Sequence, residues 1–254
     1  MRFSLNGHIV SDGSVKLYRK AGFLVACPKD IKEALEKNPK NEPFVLEINS
    51  GGGDVMAGFE MYSLLRGASV PVRAEVQSIA ASIASVILMG ADTAAASPVA
   101  QVMIHLPSTV ALGNQLELQK SVQMLDSITE SILNAYEKKS RGKITREELR
   151  KMMNHETFLS AQRALEIGLL DEIIDETDET QKTNTARFTI MNAFGGLPDI
   201  AKLRAIYEKD RNEKPEKEQS EETPEKRRLA QKQRRLLALA EADCNYMKNL
   251  LEVI

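Results

Sequence analysis

Cysteine is scarce in this chain: there are two among 254 residues, Cys27 and Cys244, far apart and without the spacing of metal ligands. That excludes a disulfide scaffold and a zinc module as organising devices. An excess of charge of one sign is lacking too. Thirty-four basic and thirty-six acidic side chains leave a formal net charge of −2, so no global field draws the molecule to nucleic acid or to an anionic membrane. There is no long hydrophobic run. The uncharged stretch 76–91 is shorter than the roughly 20 residues of a membrane span, and Gln77, Ser78, Ser82 and Ser85 interrupt it. The opening residues, Met1-Arg2-Phe3-Ser4-Leu5-Asn6-Gly7-His8, contain no continuous apolar core of a secretory signal. These absences predict a soluble cytoplasmic protein with no nucleic-acid and no membrane partner.

What is present divides near residue 180. Between residues 209 and 228 no Ala, Val, Ile, Leu, Met, Phe, Trp, Tyr or Cys occurs, while seven acidic, seven basic and two proline residues do. Such a stretch cannot bury enough apolar surface to offset the entropy of ordering it. We therefore expect a charged linker over 179–228, followed by an amphipathic helix over 229–254 that carries Leu229, Leu236, Leu237, Leu250 and Leu251. Mixed charges on that helix favour self-association over membrane contact.

Residues 1–178 read as one domain of alternating elements. Short apolar strands are expected over 23–26 and 44–48, with a helix over 30–36 between them. A helix over 54–66, a strand over 70–76, a small-residue helix over 82–89 and a strand over 99–105 follow. Apolar residues at Leu118, Val122, Leu125, Ile128, Ile132 and Tyr136 keep helical spacing and predict one long amphipathic helix over 114–139. Gly142 ends it, and Thr145-Arg146-Glu147-Glu148 opens the next helix as a capping box. Repeated strand–helix alternation predicts an α/β fold with a largely parallel sheet.

Four segments carry chemistry. Asn49-Ser50-Gly51-Gly52-Gly53-Asp54 joins a strand to a helix, and its glycines let backbone N–H groups approach a ligand. A plain turn accounts for them equally well, and no nucleotide-binding glycine pattern is present. Ala80-Ala81-Ser82-Ile83 lies at the next strand-to-helix junction, where a serine and the N–H of the following residue can face one cleft. Ser78 and Ser85 compete for the same role. Met103-Ile104-His105-Leu106-Pro107 ends an apolar strand in a histidine. Only three histidines exist, and His8 and His155 are less well placed than His105 to serve as a base. The fourth segment, 152–171, reads as a loop and then a helix from about Ala161 to a Gly168 cap; nothing local singles out an acid.

Together these segments resemble the ClpP family of serine peptidases over roughly residues 5–178. Asn49-Ser50-Gly51-Gly52-Gly53 is similar to the family's Asn-Ser-Pro-Gly-Gly loop, with Gly51 in place of proline. Ala80-Ala81-Ser82 matches its nucleophile motif and Met103-Ile104-His105-Leu106-Pro107 its base motif. Phe158-Leu159-Ser160-Ala161 with Gly168-Leu169-Leu170-Asp171 matches its closing signature. The resemblance implies a ClpP/crotonase-like fold with Ser82 as nucleophile and His105 as general base. It puts the Gly53 and Ile83 N–H groups in the oxyanion hole, and Glu156 where the family carries its aspartate. It implies protein substrates, a homo-oligomeric ring with the long helix between rings, and no metal or organic cofactor.

Three features resemble, within that family, the ClpP-related prohead proteases of tailed phages and prophages. The segment 2–10 enters the fold directly, the loop after His105 reads Leu106-Pro107-Ser108-Thr109-Val110, and a charged tail follows the core. That likeness implies processing of capsid or scaffold proteins in the host cytoplasm and within procapsids. The alternatives are a Clp-type peptidase fed by an AAA+ ATPase, and a non-catalytic ring or assembly subunit of the same fold.

Overall fold

The structure is a computed structural model and describes residues 1–174; the linker expected over 179–228 and the helix expected over 229–254 lie outside the described residues. Strand β1 (Arg2–Ile9) starts the fold, followed by α1 (Val15–Lys20), β2 (Val25–Ala26), α2 (Pro28–Lys37), β3 (Phe44–Gly53), α3 (Val55–Arg66), β4 (Val72–Ala81) and α4 (Ile83–Leu88). Next come β5 (Thr93–Ala96), β6 (Gln101–Ile104), α5 (Gln115–Ser140), α6 (Arg146–Asn154), β7 (Thr157–Ser160), α7 (Ala161–Glu166) and β8 (Glu172–Ile173). The main sheet runs β2-β1-β3-β4-β5-β8 and is parallel throughout. This is the expected α/β architecture with a largely parallel sheet. Among the described residues, no helix is long and apolar enough to cross a membrane.

Strand β4 forks. Its first half, Arg73 to Val76, pairs with β5, and its second half, Ile79 to Ala81, pairs with β6. The sheet splits there, and the ends of β3, β4 and β6 open toward one side. β7 then pairs antiparallel with β6.

One face of the sheet is apolar because its strands alternate. Phe44, Leu46 and Ile48 on β3 and Val72, Ala74 and Val76 on β4 are fully buried in the main core. Each large side chain among them contributes about 1.5–3 kcal/mol by leaving water. The opposite face holds two buried glutamates, Glu47 and Glu75, directly across from each other in the register. Like charges so placed repel. Arg2 offsets the repulsion by bridging them, with Nη1 2.7 Å from Glu47 and 2.9 Å from Glu75; Arg73 Nε adds a bond to Glu75 at 2.7 Å. A carboxylate within an apolar strand is thus satisfied from a strand more than forty residues away in the chain.

Several elements differ from the sequence expectation. β3 does not end at Ile48 but continues through the glycines to Gly53, and β4 continues to Ala81. β2 is cut to two residues, and β1, α1, β5, β7 and β8 were not expected. The end of α7 is as expected: after Glu166 and the cap Ile167, Gly168 takes φ 81°, its N–H donates to the Leu165 carbonyl at 3.1 Å, and the Leu169 N–H donates to the Ala164 carbonyl at 2.9 Å. The long helix is present as 26 residues, about 39 Å, capped by Asn114 through bonds to Leu116 and Glu117. Only its second half buries the predicted apolar stripe. Ile128, Ile132 and Tyr136 are inside, while Leu118 and Val122 are exposed together with Leu116 and Met124.

Candidate active site

The site lies where β4 turns into α4. Ser82 caps α4 with φ 55° and ψ −129°. A non-glycine residue rarely adopts a positive φ, at a cost of about 1–3 kcal/mol, and such residues gather at functional sites. The turn is sharp enough to lift the serine side chain off the sheet edge, as in a nucleophile elbow. The Ser82 N–H donates to the Met103 carbonyl at 3.0 Å, continuing the β4–β6 ladder by one step. That bond fixes β6 against the turn and brings its second next residue, His105, within reach. The His105 Nε2 to Ser82 Oγ distance is 2.7 Å.

Glu156 reaches the site by a different route. In the antiparallel β6–β7 ladder Ile104 faces Thr157, so the next step outward sets His105 opposite Glu156. Glu156 itself has φ 44° and closes the turn between α6 and β7. Its Oε2 lies 3.6 Å from His105 Nδ1, beyond hydrogen-bond range, and its side chain is 61% exposed against 28% for His105. The arrangement gives charge attraction to an imidazolium, screened by solvent, rather than a fixed hydrogen bond.

The glycine loop is held down on the other flank. Buried Ser50 donates from Oγ to the Gly7 carbonyl at 2.7 Å and accepts from the Gly52 N–H at 3.1 Å. The Asp54 N–H donates to the Ile9 carbonyl at 2.9 Å, so Gly53 sits between two engaged neighbours. Gly52 and Gly53 have φ of 100° and 149°, which require glycine; Gly51 has no such requirement. A Cβ on Gly52 would stand 2.7 Å from the Ser82 Cβ and 3.2 Å from its Oγ. Replacing Gly52 by alanine therefore moves the serine by about 1 Å, and a displacement of that size lowers turnover about 100-fold. Peptide hydrolysis by Gly52→Ala, compared with the wild type at equal folded concentration, checks this.

The competing residues are placed elsewhere or otherwise engaged. Ser85 is buried, donating to the Ser82 carbonyl at 2.6 Å and paired with the Tyr136 hydroxyl at 2.7 Å. Ser78 is exposed within β4, four positions before the turn. His8 pairs in register with Gly52, and burial lowers its pKa, but the imidazole bonded to Ser82 is that of His105. His155 caps α6 and bonds through Nδ1 to the Lys151 carbonyl. Ile83, first residue of α4, is pinned by its side chain over Gly58, where an added Cβ would lie 2.1 Å from its Cγ1. As the first helical residue it has no acceptor for its N–H within the helix. Among the described residues, no three His, Cys, Asp or Glu side chains gather as a metal site.

In the sequence Ser50 and Tyr136 have no evident task, and Ser85 stands only as a rival nucleophile. The available signal was chemical: a tyrosine in a buried helical stripe needs a partner for its hydroxyl.

Comparison with known proteins identifies the family of the chain. The family model described as Clp protease matches residues 33–177. The chain is 31% identical over 147 residues to the ATP-dependent Clp protease proteolytic subunit of Deinococcus radiodurans, covering 57% of this chain and 71% of that protein. It is 33% identical over 144 residues to the ATP-dependent Clp protease proteolytic subunit 1 of Chlamydia muridarum, covering 55% and 74%. For the corresponding subunit 1 of Protochlamydia amoebophila the identity is 29% over 153 residues, covering 59% and 73%.

Proposed function

The chain belongs to the Clp protease family, and from that premise we propose that it is a serine endopeptidase with Ser82 as nucleophile and His105 as general base. The observation that carries this reading is the 2.7 Å contact between His105 Nε2 and Ser82 Oγ at a serine of positive φ. His105 takes the Ser82 proton as the hydroxyl attacks a peptide carbonyl, then delivers it to the leaving amine. Water repeats the cycle on the acyl-enzyme. The Gly53 and Ile83 N–H groups receive the oxyanion, each worth about 3–4 kcal/mol in the transition state. Glu156 stabilises the imidazolium and stands in for the family's aspartate. Purified wild-type protein is expected to fragment casein, and Ser82→Ala to leave it intact; fragmentation by Ser82→Ala overturns the assignment.

The substrates we propose are proteins, and the active form a homo-oligomeric ring. Support for the ring comes from the first half of α5, whose Leu116, Leu118, Val122 and Met124 are exposed on a helix that a monomer has no need to extend so far. Within this class we infer a role in processing capsid or scaffold proteins during phage head assembly. The charged region after residue 178, beyond the family match that ends at 177, supports that reading as a delivery segment. The second reading, a Clp-type peptidase served by an ATPase, is favoured by the names of the relatives in Deinococcus and Chlamydia. Shortening of a purified capsid protein in the absence of ATP supports the first; digestion of folded protein only with an unfoldase and ATP supports the second.

A further inference from the structure

Behind Ser82 runs a line of buried hydroxyls that the proposed reaction does not use. The Ser82 carbonyl accepts twice from Ser85, from the N–H at 3.0 Å and from Oγ at 2.6 Å. Ser85 Oγ is also 2.7 Å from the hydroxyl of Tyr136, a fully buried side chain on α5. Proton counting sets the direction of this line. A serine hydroxyl has one hydrogen, and here it is committed to the Ser82 carbonyl, so Tyr136 must supply the hydrogen between itself and Ser85. Burial pushes the Tyr136 phenol pKa up, which keeps that hydrogen in place.

The receiving carbonyl belongs to the peptide unit that joins Ser82 to Ile83. That unit is planar and trans, so its N–H points opposite to its C=O. With the carbonyl accepting from Ser85 in the core, the Ile83 N–H points the opposite way, out of the core. Hydrogen bonds accepted at the oxygen also polarise the unit and make its N–H a better donor.

We propose that Tyr136 and Ser85 are positioning residues for oxyanion stabilisation: Tyr136 donates to Ser85, Ser85 donates to the Ser82 carbonyl, and the relay aims and strengthens the Ile83 N–H. The inference rests on Ser82 being the nucleophile and deepens that reading by giving its turn a fixed back wall. It also ties the active turn to α5, the helix whose other half projects from the fold. Neither Tyr136 nor Ser85 touches substrate. Their loss leaves ground-state binding as it was and slows the step in which negative charge develops on oxygen.

Saturation kinetics of inactivation by a fluorophosphonate test this on the full-length protein, with the labelled residue read by peptide mass spectrometry. Ser85→Ala and Tyr136→Phe each delete one oxygen. Each is expected to lower the maximal phosphonylation rate about five- to tenfold, the equivalent of one neutral hydrogen bond, with half-saturation within about twofold of wild type. Because the two act in series, the double variant is expected to be no more than about tenfold slower, instead of the product of the two effects. Wild-type maximal rates in both single variants, or slowing that resides in half-saturation, overturn the relay. If Ser85→Ala fails to fold, Tyr136→Phe decides alone. A wild-type protein that is unreactive, or labelled away from Ser82, overturns the nucleophile assignment itself and is told apart from failure of the relay by that readout.

Discussion

His105→Ala is expected to lower peptide hydrolysis by about four to six orders of magnitude while leaving the protein folded. Among the described residues the imidazole is the one side chain bonded to the Ser82 hydroxyl, and without it the serine attacks as a neutral alcohol. Folding should survive because the ring is partly exposed at the end of β6, outside the core formed by Val102 and Ile104. Glu156→Gln provides the contrast. Removing the aspartate partner of a buried, hydrogen-bonded histidine costs about 10⁴ in turnover. Glu156 is mostly exposed and 3.6 Å from the ring, so the expected loss is nearer tenfold, about 1.4 kcal/mol. Peptide turnover by the two variants, measured with excess enzyme, gives both numbers. A loss for Glu156→Gln as large as that for His105→Ala would mean that the carboxylate closes on the imidazole when substrate binds.

The second large effect concerns stability. Lys139 on α5 has its side chain only 5% exposed, and its ammonium is 2.6 Å from Asp171 Oδ2 and bonded to the carbonyls of Ala91 and Asp92. Asp171 also accepts from the Ala94 N–H at 2.8 Å, at the start of β5. The pair thus fastens the long helix to the sheet edge. Asp171→Ala leaves a buried cation short of its anion and an N–H without its acceptor, at a cost of about 3 kcal/mol. At this chain length that lowers the thermal midpoint by roughly 6–12 °C. Burial works against ionisation of Asp171, but the Ala94 N–H, Lys139 and Arg141 outweigh it and hold the carboxyl below its ordinary pKa. A lowered carboxyl stabilises the fold above the unfolded value, about 3.9, and that contribution fades as pH falls through the lower folded value. Asp171→Asn is accordingly expected to lose less stability than wild type between pH 5 and pH 2, read by denaturant titration across that range.

Much of the site was legible in the chain because its parts are local. The glycine run sits between an apolar strand and an amphipathic helix, and Ala80-Ala81-Ser82 sits at the next such junction, so pattern and turn chemistry coincide. His105 stands at a strand end for the same reason. Glu156 was placed by resemblance alone, since β7 is four residues long and has no period of its own. Its strand character comes from pairing with β6, a partner more than fifty residues earlier. Glu47 likewise looks out of place inside an apolar strand until Arg2 arrives from β1. The stripe on α5 misled in the other direction. Its spacing is helical from Leu118 to Tyr136, but periodicity alone does not tell which turns meet a core and which project beyond it. Ser85, a competitor for the nucleophile role in sequence, becomes a support once its contact with Tyr136, fifty-one residues away, is seen.

The most direct measurement on the central assignment is covalent labelling of the folded protein by a fluorophosphonate, mapped by peptide mass spectrometry beside a Ser82→Ala control. The account predicts one adduct, on Ser82, absent from the control and suppressed in His105→Ala. An adduct on Ser78 or Ser85, or none at all on a folded oligomeric sample, would contradict it.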